Sequence, residues 1–196
     1  MTLTLIRHGS VNSSYKGHYN GDNHVRLDYN AKAELHHTDK KLQYNDYNLI
    51  LSSPIYRAQC SAKLLKLTKP FFLDSRLKEK SWGWAEGLSY DEIVSLKGVE
   101  YQNFNQWMQH LGGEPLYVFE NRLLSFINDL LTYKQPKILC ITHAGVIRYF
   151  YALKFSLTYE ESFRFKIPPA SMHIFKITPH FLTQRNKSAI MPKNLR

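Results

Sequence analysis

The chain has little cysteine, little acid and no long apolar run, and each shortage removes a class of protein. Its two cysteines, Cys60 and Cys140, stand far apart with no C-x-x-C spacing, which argues against a disulfide framework and a cysteine zinc site. Acidic residues number 16 against 26 lysines and arginines, a net charge of +10 and a pI near 9.5. That balance suggests an anionic partner: nucleic acid, an acidic membrane surface or a phosphorylated small molecule. No stretch approaches a membrane span. The opening run Met1–Ile6 is too short for a signal peptide and lacks a basic leader. A cytoplasmic protein is the expectation, so N-x-S sequons at Asn12 and Asn186 carry no meaning. What is present, 43% hydrophobic and 21% charged residues over 196 positions, is the composition of one globular domain.

Short apolar runs alternate with helical patterns. Leu3–Ile6, Asn48–Leu51, Pro70–Leu73, Lys137–Thr142 and Ser171–Ile177 read as strands. Helical tendency covers Ala31–Leu42, a stretch from Pro54 to about Leu67, pieces at Tyr90–Leu96 and Gln102–His110, and Ala144 to Leu153. The clearest helix is Leu116–Tyr133, where Phe119, Leu123, Phe126, Ile127 and Leu130 recur at intervals of three and four. The pattern predicts an α/β fold, a three-layer α/β/α sandwich with a mainly parallel sheet. Residues 80–115, aromatic and poorly periodic, read as a helical cap insertion within a single domain over 1–177, and 178–196 as a basic C-terminal tail.

In such sheets ligands bind where strands end and helices begin, and three polar runs fall there. Arg7-His8-Gly9 follows the first strand; an arginine can fork onto phosphate oxygens, and glycine admits close backbone approach. Ser52-Ser53-Pro54-Ile-Tyr-Arg57-Ala58 puts a second arginine in the first turn of a helix, where backbone N–H groups favour an anion. Thr142-His143-Ala144-Gly145 repeats the strand-then-histidine pattern. Between them, Leu77-Lys78-Glu79 and Gly83-Trp84-Ala85-Glu86-Gly87 set two glutamates among tryptophans, an environment suited to a general acid. His36-His37-x-Asp39, the nearest thing to a metal cluster, reads as a solvated helix end.

Together these runs resemble the histidine phosphatase (phosphoglycerate mutase-like) superfamily: R-H-G, S-S-P-x-x-R-A, L-x-E with G-x-x-E-G, and T-H-x-G-x-x-R, the last ending at Arg148. The resemblance implies a phosphoric monoester hydrolase with His8 as nucleophile and a phosphohistidine intermediate. Arg7, Arg57 and His143 would neutralise the phosphoryl group, and Glu79 would act as proton donor and then as base. Phosphate contacts are expected further from Asn12, Ser14 and Ala144. No metal or cofactor is implied. The partner would be a phosphorylated small molecule, with neither nucleic acid nor membrane, and a homodimer is left open.

Within the superfamily, Gly112-Gly113-Glu114-Pro115 with Arg122 is similar to the G-G-E-S run of α-ribazole phosphatases, enzymes of cobalamin assembly. A broad-specificity small-molecule phosphatase, a phosphoglycerate mutase and a non-catalytic phospho-ligand-binding member of the fold are the alternatives. Departures lie on the substrate side: Ser10 where Glu or Gln is common, Ser14 for an asparagine, His24 at an acidic position. The mutase run E-R-x-Y-G stands as Glu79-Lys80-Ser81-Trp82-Gly83. The charge then divides. Arg185, Lys187, Lys193 and Arg196 belong to the tail, and the remainder, 22 basic against 16 acidic residues, includes the arginines expected to grip phosphate.

Overall fold

Alternation along the strands sorts the side chains between two cores. In the computed structural model, which describes residues 1–42, 46–98, 103–133, 136–179 and 181, five strands form one sheet. They are β1 (Thr2–Arg7), β2 (Leu49–Ser52), β3 (Phe72–Leu73), β4 (Lys137–Thr142) and β5 (Met172–Lys176), in the order β3-β2-β4-β1-β5. Every neighbouring pair is parallel except β1 with β5.

Six helices among the described residues cover the sheet: α1 (Ala31–Leu42), α2 (Tyr56–Leu64), α3 (Tyr90–Lys97), α4 (Phe104–His110), α5 (Leu116–Thr132) and α6 (Ala144–Phe155). Leu3, Leu5, Leu51, Ile138 and Cys140 point to one face, where α5 and α6 supply Phe119, Leu123, Phe126, Val146, Ile147 and Phe150. Ile6, Ile50, Leu139 and Ile141 point to the other, against Leu35 of α1 and Ala58 and Ala62 of α2. Each fully buried side chain of this size contributes about 1.5–3 kcal/mol. The three-layer arrangement follows from that period of two.

Local chemistry adjusts several boundaries. Helix α2 starts later than Pro54 because Ile55 is extended, with its N–H donated to Ser53 Oγ. It stops at Leu64 because Leu65 is extended again and Lys66 N–H is held by Asp39. Asp39 is therefore buried, not part of a solvated helix end. Asn103 caps α4 by accepting from Gln106 N–H; Gln102, expected in that helix, lies outside the described residues. In the stretch 80–115, Trp82, Ala85, Ile93, Trp107, Met108 and Leu111 join the larger core, so much of its aromatic density is packing rather than cover. Phe181, in the stretch expected as tail, is buried and faces Phe150; 182–196 lie outside the described residues.

Candidate active site

Sheet register brings the two histidines together. Arg7 of β1 pairs with Thr142 of β4, so the next residue of each strand, His8 and His143, emerges side by side. His8 N–H extends the ladder to Thr142 O at 2.9 Å, and the two rings stand 5.2 Å apart. Ser53 follows β2 in the same way, its N–H bonded to Ile141 O, and leads into Arg57. Three strand ends thus meet at one edge of the sheet, beside a cavity of about 540 Å³.

The proton on His8 is placed by its surroundings. Its Nδ1 lies 2.7 Å from Gly9 O, an acceptor only, so Nδ1 carries the hydrogen. Nε2 is left with a lone pair, which accepts from Arg57 Nε at 3.3 Å. Burial, then repulsion from Arg57 and Arg7, holds the His8 pKa well below the usual histidine range. His143 is depressed likewise, by burial and then by Arg57, His8 and Arg7. Its Nε2 meets Ser53 Oγ at 2.8 Å, while Nδ1 is buried with no partner. The site therefore presents two neutral imidazoles among arginines.

The arginines differ in how they are spent. Arg57 is buried, and its Nη atoms donate to the carbonyls of Asn20, Gly21 and Asn23. Only its Nε faces His8. Arg7 donates Nη1 to Ile167 O, and its Nε is buried without a partner. Burial chiefly lowers the Arg7 pKa to about 10, with Arg148 and Arg57 adding repulsion against attraction from Glu79. Arg148, on α6, also lines the cavity; its guanidinium lies 4.7 Å from the Phe163 ring centre and its Nε is buried and unpartnered.

Glu79 reaches the cavity from an aperiodic segment. Its Oε2 accepts from Gly145 N–H at 3.0 Å, in the first turn of α6, and Oε1 from Lys80 N–H at 3.1 Å. A Cβ at Gly145 would run into the Glu79 carboxyl and the Tyr159 hydroxyl, so any other residue there would displace the carboxyl. Glu86, the other glutamate of the motif, stays out of the cavity. Its carboxylate gathers the N–H groups of Gly21, Asp22 and Trp82 at 2.7, 3.0 and 2.8 Å, strapping the loop that Arg57 grips.

Of the residues expected from sequence, Arg7, His8, Glu79 and Ala144 line the cavity, and Arg57 and His143 are buried behind His8. Asn12 and Ser14 lie elsewhere in this structure. Both are exposed and off the lining, and Asn12 Oδ1 accepts from Ser14 N–H, capping the turn Ser13–Tyr15. Ser10 lines the cavity but gives its N–H and hydroxyl to Glu34. Arg148 was visible as the last letter of T-H-x-G-x-x-R, yet carried no assigned role. Lys16, His18, Tyr15 and Tyr19 on the rim had no sequence signal beyond loop composition.

This constellation on this fold defines a phosphatase. The family model of the histidine phosphatase superfamily (branch 1) matches residues 3–186, and the chain belongs to that superfamily. Among characterised relatives, an adenosylcobalamin/α-ribazole phosphatase of Escherichia coli is 25% identical over 202 residues, covering 99% of this chain and 100% of that one. The solved α-ribazole phosphatase of Shigella flexneri superposes with a TM-score of 0.78 at 23% identity, over 91% of this chain and 92% of that chain. A phosphoserine phosphatase of Entamoeba histolytica, solved with 3-phosphoglyceric acid, gives a TM-score of 0.71 at 20% identity over 89% and 90%.

Proposed function

We propose that the protein hydrolyses a phosphate monoester through a phosphohistidine on His8, and that its substrate resembles α-ribazole 5′-phosphate. The observation that carries the reading is the His8 tautomer: with the proton on Nδ1, Nε2 keeps a neutral lone pair, which is freed for attack when the Arg57 Nε–H turns from it to a phosphoryl oxygen. His8 Nε2 bonds to phosphorus as the ester P–O bond breaks, and Glu79 gives its proton to the departing oxygen. Water then attacks phosphorus, Glu79 takes its proton, and the P–N bond breaks to release phosphate and free His8. Arg7, Arg148 and the Nε of Arg57 stabilise the phosphoryl oxygens. His143 Nδ1, buried without a partner, is a further group for them.

Support for the substrate class comes from the named relatives and from the cavity wall, whose lining includes the aromatic residues Tyr15, Tyr19, Trp82 and Phe163. The test is phosphate release, in the presence of chelator, from α-ribazole 5′-phosphate, 3-phosphoglycerate, phosphoserine, sugar phosphates and nucleotides. The reading expects α-ribazole 5′-phosphate to give the highest kcat/KM. A preference for phosphoglycerate, interconverted faster than phosphate is released, would make the protein a mutase instead.

A further inference from the structure

Gly112-Gly113-Glu114 and Arg122 touch no part of the cavity, although the sequence sets them among substrate-class markers. We propose that Glu114 and Arg122 are positioning residues for the proton donor, clamping the backbone that carries Glu79. The inference rests on the reading of Glu79 as that donor.

The clamp has two jaws. Arg122 of α5 forks onto Glu114, Nε to Oε1 at 2.7 Å and Nη2 to Oε2 at 2.8 Å. The same guanidinium donates Nη1 to the carbonyl of Arg76 and Nη2 to the carbonyl of Glu79 itself, the latter at 3.1 Å. Glu114 contributes its own N–H to Ser81 O at 3.2 Å, an oxygen that also accepts from Lys80 Nζ at 2.9 Å. Thr142 Oγ1 holds the carbonyl of Leu77 at 2.8 Å. The carbonyls of 76, 77, 79 and 81 are therefore each held by a group from outside the segment or by the buried Lys80.

The two glycines explain why the run begins as it does. Gly113 sits at φ 68°, and its Cα lies against the backbone of Gly83 and Ser81, where any side chain would collide. That approach delivers Glu114 to Arg122. The Arg122 guanidinium also lies 4.7 Å from the Phe119 ring centre, and the ion pair is shielded, with side-chain exposures of 18% and 16%. A planar fork with all these acceptors in fixed directions is work a lysine cannot duplicate. A donor displaced by about 1 Å loses on the order of 100-fold in rate, so a clamp on the backbone acts on chemistry without touching substrate.

Leaving-group dependence separates this from a role in folding alone. In 4-nitrophenyl phosphate the leaving oxygen needs no proton; in an alkyl phosphate it does. Measure kcat/KM, which reports transfer to His8, for 4-nitrophenyl phosphate and for the alkyl phosphate turned over fastest in the panel above. Do so in wild type, Glu79→Gln, Glu114→Gln, Arg122→Met and Arg122→Lys. The expected result is that the alkyl-to-aryl ratio falls at least about tenfold in Glu114→Gln and Arg122→Met, in the direction of Glu79→Gln, with Arg122→Lys between them and wild type. If Glu79→Gln lowers the ratio but Glu114→Gln and Arg122→Met keep the wild-type ratio at any absolute activity, the clamp is refuted and the donor stands. If Glu79→Gln itself keeps the ratio, the donor assignment fails and the clamp with it. Should Arg122→Met not fold, Glu114→Gln decides.

Discussion

The two halves of the site are held in place by different means. His8, His143 and Ser53 are continuations of hydrogen-bonded strands, so main-chain ladders set their positions. Glu79 and the loop at 20–23 have no ladder. Side chains reaching across the fold hold them instead: Arg57 and Glu86 on the loop, and Arg122, itself paired with Glu114, and Thr142 on the segment around Glu79. Backbone pairing makes the place of His8 a property of topology, whereas the place of Glu79 depends on a few individual side chains. The half around Glu79 is the one that can drift between relatives while His8 stays put.

Replacing His8, the proposed nucleophile, should have the largest effect. His8→Ala is expected to lower kcat/KM by at least about 1,000-fold with the fold retained. Near-normal turnover by a folded His8→Ala protein would mean that the ladder-held half is not where chemistry occurs.

Acid should strike the same half next. His8 and His143 are neutral in the native state and depressed below their ordinary value, so below about pH 6.5 the unfolded chain binds protons that the native one refuses. Stability is intact above that pH and falls on acidification, by up to about 1.4 kcal/mol per pH unit for each histidine. Urea midpoints at pH 7, 6 and 5 would show the slope, and a His8→Asn/His143→Asn double variant should flatten it. An equally steep slope in that variant would assign the loss elsewhere.

Smaller effects separate the straps. Glu86→Ala strips the acceptor from three N–H groups and should cost about 1–3 kcal/mol. Asp22→Asn breaks the exposed 2.7 Å pair with Lys78, on the same loop, and should cost no more than about 1 kcal/mol. Thermal or urea unfolding of both variants ranks them; the reverse order would mean that surface charge, not the half-buried Glu86 carboxylate, ties the loop down.

This division also sets what the sequence could reveal. Strands, helix faces and both site histidines were legible because period two, period 3.6 and strand-end position are local signals. Arg57 was legible as a site residue but not as a loop anchor, since its bonds to Asn20, Gly21 and Asn23 join distant positions through carbonyls that any residue carries. Residue type alone could not place Asn12, because a short polar side chain can cap its own turn, as Asn12 does here, as readily as meet a ligand. Arg148 went unassigned because nothing local distinguishes an arginine facing a cavity from one facing solvent. Glu114 and Arg122 were recognised as a pattern whose target, the carbonyl of Glu79, leaves no trace in residue type.

The pairing of Arg7 with Thr142 bears on which changes of length a lineage of such proteins can tolerate. A one-residue insertion or deletion inside β1 or β4 would turn every following side chain to the opposite face and separate His8 from His143. Length changes among the exposed residues around Lys16 and Gly17 would leave that partnership alone while reshaping the rim of the cavity. Divergence in what such proteins act on should therefore accumulate as altered loops around strands whose length does not change.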